Sequence, residues 1–160
     1  MQIGIVSDTH GQVEFTRDAI RMLESFEVDQ VIHCGDIGAA AIIDLFSSWP
    51  THYVVGNVDY DAETLSADCK TAGHTFHGLF GSLTLAGRKI AFLHGHEEAR
   101  LAQTINCGAY DLVCHGHTHK VASYTVGQTH VLNPGALYRA SRHTIAIVDL
   151  PALEVNIVPV

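Results

Sequence analysis

Short apolar runs that break off at acidic, amide or imidazole side chains recur along this chain, which limits it to folds in which several strands end at a common edge. Ile3 to Val6 stops at Ser7-Asp8-Thr9-His10-Gly11, Val31 to His33 at Cys34-Gly35-Asp36-Ile37-Gly38, and His52 to Val55 at Gly56-Asn57-Val58-Asp59. Further on, Lys89 to Leu93 runs into His94-Gly95-His96, and Tyr110 to Cys114 into His115-Gly116-His117-Thr118-His119. Between the first of these runs the apolar period changes. Val13, Phe15, Ala19, Ile20, Leu23 and Phe26 recur at helical steps, and Ala39 to Phe46 reads as a short helix that Trp49-Pro50 stops. Strands alternating with helices predict a partly parallel sheet with helices outside it, and in such sheets ligands bind beyond the carboxyl ends of the strands.

The second half is strand-rich. Ser82 to Leu85 and Lys89 to Leu93 read as a hairpin about Ala86-Gly87, and Glu97 to Ile105 as a helix. Val121 to Val126, His130 to Leu132, Thr144 to Leu150 and Leu153 to Val158 follow as successive strands for which antiparallel pairing is expected. A βαβ half followed by such a run predicts two sheets packed face to face. With 160 residues, 47% of them hydrophobic and 16% charged, the chain fits a single domain over residues 1–160 with one core, and disordered, collagenous and coiled-coil architectures are excluded.

Nine Lys and Arg against seventeen Asp and Glu, a formal net charge of -8, leave no basic footprint for gripping a nucleic-acid backbone. No apolar run approaches the ~20 residues of a membrane-spanning helix. The opening Met1-Gln2-Ile3-Gly4-Ile5-Val6 has no basic, leader-like segment. A soluble, cytoplasmic protein is the expectation. Cys34, Cys69, Cys107 and Cys114 form no C-x-x-C pair and are read as reduced thiols.

Histidine is the compositional anomaly. Of the twelve, His10, His33, His94, His96, His115, His117 and His119 fall within or next to apolar segments instead of in one tract. An Asp-x-His pair alone is commonly a loop cap beside a surface histidine, but buried imidazoles and carboxylates gathered at one edge are costly unless paired or coordinated. Mixed imidazole, carboxylate and amide donors suit Mn, Fe, Co, Ni or Zn, and the lack of clustered cysteine argues against a structural zinc knot. There are too many donors for one tetrahedral ion. Two ions about 3.5 to 4 Å apart sharing a carboxylate is the arrangement of dinuclear hydrolytic sites.

The ordered blocks Asp8-Thr9-His10, Gly35-Asp36, Gly56-Asn57-Val58-Asp59, His94 and Gly116-His117-Thr118-His119 match the pattern D-x-H, G-D, G-N-[HCD]-[DE], H, G-H-x-H. In them the sequence resembles the calcineurin-like metallophosphoesterase superfamily. Its size, its Leu-His-Gly-His and its Asn133-Pro134-Gly135 are similar to the small bacterial and archaeal phosphodiesterase branch, which shares its fold with a retromer subunit. The resemblance implies a four-layer α/β/β/α sandwich of two mixed β-sheets flanked by helices. It implies that Asp8, His10, Asp36 and His119 hold one divalent ion and Asp36, Asn57, His94 and His117 the other, with manganese expected ahead of Fe, Ni, Zn or Co. Two dications against Asp8, Asp36 and one hydroxide leave a centre of about +1 that attracts a small phosphoester and lets the hydroxide attack in line.

One position departs from the family. Many members carry a proton-donating His after Gly-Asn, where this chain has Val58. The donor is then His96, one of the loop histidines His74 or His77, or a leaving group that needs little protonation, and slow turnover of unactivated phosphomonoesters is expected. Asn57, Asp59 and His96 complete the catalytic candidates, Asp59 as an orienting carboxylate. His33 and His115 are read as supporting or core residues, Asn133-Pro134-Gly135 as a turn that the family pattern puts near the site, and His52, His130 and His143 as surface or packing residues. Arg139 and Arg142 either steady a phosphate or are solvated charges. The competing reading is a non-catalytic, metal-binding protein-interaction scaffold of the same fold; the complete ligand set favours the enzyme. A metal store or sensor lacks any effector or nucleic-acid-binding segment, and pairing of small chains in the family leaves a homodimer open.

Overall fold

The computed structural model describes residues 1–160. Its first half is a run of parallel strands joined by helical crossovers. Strands β1 (Gln2–Val6), β2 (Gln30–His33), β3 (Thr51–Tyr53) and β4 (Thr75–Phe76) lie parallel, joined by α1 (Val13–Ser25), α2 (Ala40–Leu45) and α3 (Ala62–Thr71). A hairpin, β5 (Phe80–Leu85) and β6 (Arg88–Leu93), then opens a second sheet, followed by α4 (Glu98–Asn106), β7 (Leu112–Cys114), β8 (Ala122–Val126) and β9 (Thr129–Asn133). Strands β10 (Thr144–Asp149) and β11 (Glu154–Pro159) return to the first sheet. The orders are β11-β10-β1-β2-β3-β4 and β5-β6-β7-β9-β8.

Both sheets are mixed, and one expectation is corrected here. From Val121 on, β8 pairs antiparallel with β9 and β10 with β11 as expected, but β9 and β10 are not neighbours: β10 crosses to the first sheet beside β1, and β9 lies parallel to β7, as β7 does to β6, because α4 and the β8 hairpin each carry the chain back across the sheet. Two further elements, α3 and β4, occupy a stretch to which the sequence reading assigned none. Helix α3 shows only Leu65 and Cys69 as its buried face, and its start is fixed by Asp61, whose carboxylate accepts the Thr64 amide at 2.9 Å.

Side-chain alternation divides the apolar residues into three layers instead of one core. Ile3 and Ile5 of β1, Ile32 of β2 and Cys34 just after it turn inward to meet Ile90, Phe92, Leu112 and Cys114 of the opposite sheet. Val6 and Val31 turn outward beneath α1 and α2 with Leu23, Ile42 and Phe46. Ala91, Leu93, Val113 and Val131 form the outer face of the second sheet under Ile105 of α4. The result is the four-layer α/β/β/α sandwich. Phe15 leaves the helix stripe predicted for it: Thr16, Ala19 and Leu23 face the sheet, and the Phe15 ring lies at the surface against His143, 4.1 Å between centroids.

Packing the sheets face to face brings the carboxyl ends of β1, β2 and β3 opposite those of β6 and β7. Phe92 sits in the middle layer with no solvent exposure. Phe92→Ala should therefore destabilise the protein by about 3–5 kcal/mol, measured as a fall in urea midpoint at unchanged m-value.

Candidate metal centre

Three of the five strand-end loops, those after β1, β2 and β7, deliver their donors through unusual backbone. Asp8, His10, Asp36, His117 and His119 all adopt left-handed conformations, with φ of 56°, 45°, 55°, 69° and 57°. Such conformations cost of order 1 kcal/mol or more for a non-glycine residue and persist only where the surroundings enforce them. Here the loops enforce one another. The Asp8 amide donates to the Gly35 carbonyl at 3.0 Å, that of His10 to Asp36 at 2.9 Å, and that of Gly116 to His94 at 2.9 Å. The His117 amide donates to Asp8 Oδ2 at 3.1 Å, tying the two sheets together at the site.

Glycine is required where the loops touch. A Cβ on Gly116 would run into Ser7 Oγ and the Asp8 carboxylate, and one on Gly56 into the Asp36 carboxylate.

Around this edge the donor atoms converge. One ligand atom from each of Asp8, His10, Asp36 and His119 lies within 4.8 Å of the others. His119 Nε2 is 3.2 Å from Asp8 Oδ1, and His10 Nε2 is 3.3 Å from Asp36 Oδ2. On the other side His94 Nε2 stands 3.3 Å from Asp36 Oδ2 and 3.1 Å from Asn57 Oδ1. The His117 ring is 5.1 Å from that of His94, and the His96 ring 5.5 Å from His94 and 6.2 Å from His117. Asp36 thus stands between the two groups.

The protons do not suffice to hold this cluster. His94 Nδ1 is 2.8 Å from the Cys34 carbonyl, which only accepts, so Nδ1 carries a hydrogen and Nε2 is the ring atom left to face Asp36 and Asn57. Asp8 Oδ1 and His10 Nε2 are buried without any hydrogen bond. Converging lone pairs in a buried site call for a cation, and the residues present fit a divalent metal.

The titration of the bare site bears the same mark. Burial pushes the Asp8 carboxyl above its ordinary range, against the pull of His94. Burial also pushes Asp36 up, but the hydrogen bond and charge of His94, the Val58 amide and His10 outweigh it and the net direction is down. Burial lowers His10. For His94 burial acts downward too, yet Asp36 and Asp8 reverse it and leave its pKa raised.

Supporting residues lie behind these. Asp59, a catalytic candidate from sequence, spends both oxygens on loop amides, Oδ2 on Gly56 at 2.8 Å and Ile37 at 3.1 Å, Oδ1 on Gly38 at 3.0 Å. It holds the Asp36 and Asn57 loops in register. Asn133 donates to the Gly116 carbonyl at 2.8 Å and to Thr118 Oγ1 at 3.1 Å, bracing the loop that carries His117. The buried His33 accepts from the Gly35 amide at Nδ1, so its Nε2–H donates to Thr9 Oγ1 at 3.0 Å. His74 and His77 are elsewhere: His74 bonds the Ile43 carbonyl, and His77 pairs with His52, whose other nitrogen reaches Gln30 at the start of β2. Of the three histidines considered as proton donor, only His96 stands beside the donor cluster. Tyr138 escaped the sequence reading. Its ring packs 5.0 Å from that of His10, and nothing in a loop tyrosine signals such a place.

Residues 1–152 match the model of the calcineurin-like phosphoesterase superfamily domain. The chain belongs to the calcineurin-like phosphoesterase superfamily. It is 33% identical over 159 residues to the phosphodiesterase MJ0936 of Methanocaldococcus jannaschii, covering 96% of each chain. A solved archaeal phosphodiesterase superposes over 100% of both chains with a TM-score of 0.93 at 32% identity. Vps29 of Entamoeba histolytica, at 18% identity and a TM-score of 0.67 over 100% of this chain and 99% of its own, shares the fold. The protein is a metal-dependent phosphoesterase, and its family uses divalent ions of the kind this cluster fits.

Two measurements test the site. Gly116→Ala should displace Asp8 and reduce bound metal, read as metal stoichiometry after dialysis, while the circular dichroism stays unchanged. In metal-free protein, His33 is neutral and burial holds its pKa down to about 3. The unfolded chain takes up a proton near the ordinary 6.5 and the native state does not, so stability present above that pH is lost as pH falls towards 3. Between pH 7 and 5 this amounts to about 2 kcal/mol. Urea titrations at those two pH values should show His33→Gln with a shallower loss than the parent; parallel losses would contradict the assignment.

Proposed function

We propose that this phosphoesterase is a dinuclear phosphodiesterase. One divalent ion is held by Asp8, His10, Asp36 and His119, the second by Asp36, Asn57, His94 and His117, with Asp36 shared. The observation that carries the proposal is the pair of donor groups on either side of Asp36, imidazole nitrogens and carboxylate or amide oxygens converging within 3.1 to 3.3 Å of one another. When bound, such ions polarise a phosphoryl oxygen and supply a hydroxide at neutral pH for in-line attack. Their donors are nitrogen and oxygen in mixture, for which manganese is the first choice and Fe, Co, Ni or Zn also serve.

The chain's own residues provide orientation and exclusion of water. Asp8 stays fixed by the His117 amide, Asp36 by the Val58 amide at 3.1 Å, and His94 by the Cys34 carbonyl, so each donor meets its ion with its rotamer already set. Proton delivery to the departing oxygen falls to His96, since Val58 offers only its main chain. Burial, then the neighbouring His94, lowers the pKa of His96, which keeps it a weak reservoir of protons at neutral pH. That favours diesters whose leaving group tolerates negative charge, in keeping with the phosphodiesterases that the chain resembles. Four unpaired cysteines suit a cytoplasmic setting. Vps29 lends fold likeness to the metal-binding scaffold reading, but the likeness to phosphodiesterases at 32 to 33% identity favours the enzyme.

Metal-free protein supplied in turn with Mn, Ni, Zn, Fe or Mg should cleave bis(para-nitrophenyl) phosphate faster than para-nitrophenyl phosphate. Asp36→Ala and His117→Ala should fall to background. Full metal occupancy with neither ester cleaved would overturn the proposal and turn attention to a protein partner. His96→Ala should slow a diester with an alkyl leaving group by about a hundredfold and spare the para-nitrophenyl diester; equal effects on both would remove His96 as donor.

A further inference from the structure

The charges around the metal edge are unevenly spread. Of the nine Lys and Arg in this acidic chain, Arg21, Arg88 and Arg100 are spent on carboxylates at 2.6, 3.1 and 2.7 Å. Of the six that pair with none, Arg17, Lys70 and Lys89 are scattered over α1, α3 and β6, while Lys120, Arg139 and Arg142 all belong to the two loops beside His119, β7–β8 and β9–β10. A cleft of about 420 Å³ runs from His119 past Lys120 to Ser141 and Arg142. Arg139, with left-handed backbone (φ 48°), stacks its guanidinium 5.1 Å from the Tyr138 ring, which itself packs on His10. Across the edge, beyond Val58, a smaller cleft of about 160 Å³ is lined instead by Asp59, Asp61 and Asp68.

We infer that the His119–Arg142 cleft is a subsite for a second anionic group on the substrate, a phosphate or comparable oxyanion attached some ångströms from the ester under attack. The inference rests on the phosphodiesterase reading for what is cleaved, and on this cleft for what else the substrate carries. A chain of net charge -8 repels anions at long range, but screening confines that field to about 8 Å at physiological salt, so the nearest charges decide. Near His119 they are cations without a protein partner, free to make charge-assisted hydrogen bonds to phosphate oxygens, and Arg142 can do so with two parallel N–H groups. Near Val58 they are acids. A substrate with one additional anion is thereby oriented, its charged end over Arg142 and its uncharged end towards Val58, while a neutral diester is bound without preference.

The test uses metal-loaded protein and two probes that differ by one phosphate: thymidine bisphosphate, phosphorylated on both hydroxyls, and thymidine monophosphate, phosphorylated on the primary hydroxyl alone. Calorimetry should show the bisphosphate bound about tenfold more tightly, with the gain shrinking as salt rises. In Lys120→Gln/Arg142→Gln, both exposed positions, the gain should vanish while the monophosphate affinity holds. Equal affinities for the two probes, or a gain that survives the substitutions, overturn the subsite. Turnover is followed separately on the para-nitrophenyl ester of thymidine monophosphate with and without a phosphate on the secondary hydroxyl, where the added phosphate should lower KM about tenfold in the parent only. Failure to cleave either ester alongside an intact binding gain would overturn the catalytic reading and support the subsite.

Discussion

Carboxylates and imidazoles crowded at one edge compete for too few protons, and a chain that buries several of them must hold them together before any ion arrives. This is the constraint on which the architecture of the protein depends. Asp8 Oδ1, Asp36 Oδ2, Asn57 Oδ1 and the Nε2 atoms of His10, His94 and His119 lie within a few ångströms of one another. No single loop could impose such crowding. It is imposed by a sandwich in which two sheets, each sealed by apolar layers on both faces, hold the carboxyl ends of five strands in opposition. The free energy of burying Ile5, Ile32, Phe92 and Leu112 is non-directional, yet it fixes the sheet-to-sheet distance and so the distance between Asp36 and His94.

The loops convert that rigidity into geometry. Left-handed backbone at five of the candidate ligands turns the chain sharply at the strand ends, so that donors from the β1, β2 and β7 loops gather at one edge instead of trailing along it. The strain is sustained because each loop is bonded to its neighbour: Gly35 and Asp36 accept from the β1 loop, Asp59 clamps the β2 and β3 loops, and Asn133 braces the β7 loop. A metal would relieve the electrostatic part of this strain, which means that metal affinity and native stability are coupled through the same residues.

Some of this was legible in the sequence for plain reasons. The strand ends could be read because each short apolar run stops at a residue that is costly to bury, and the five stops share one edge once the strands are aligned. Val13 to Ser25 announced itself by period, although the stripe was read through Phe15 where the structure uses Thr16, a polar residue whose hydroxyl is satisfied by the Gln12 carbonyl at 2.8 Å. Helix α3 was silent because two buried residues in ten make no pattern, and the two-residue β4 is too short for one. The parallel placement of β6, β7 and β9 could not be read either, since it depends on crossovers that local alternation does not encode. Tyr138 and the bracing role of Asn133 depend on distances across loops, about which residue types say nothing.

Val58 shows how position and side chain part company. Its main-chain amide is needed, since it donates to Asp36 Oδ1 at 3.1 Å and holds the shared carboxylate in place, and any residue but proline could do that. Its side chain is therefore free to vary without loss of the ligand framework. An imidazole there would supply a proton next to the departing oxygen; an isopropyl group supplies an apolar wall beside the cleft that Asp59, Asp61 and Asp68 line. The exchange leaves the donor cluster untouched, and on the proposed mechanism it shifts the demand for a proton to the substrate or to His96 on the opposite sheet. On that mechanism, substrate selection would then follow from the groups that flank the centre: apolar and acidic towards Val58, cationic towards Arg142, with the charge of the departing group deciding whether His96 is called upon at all.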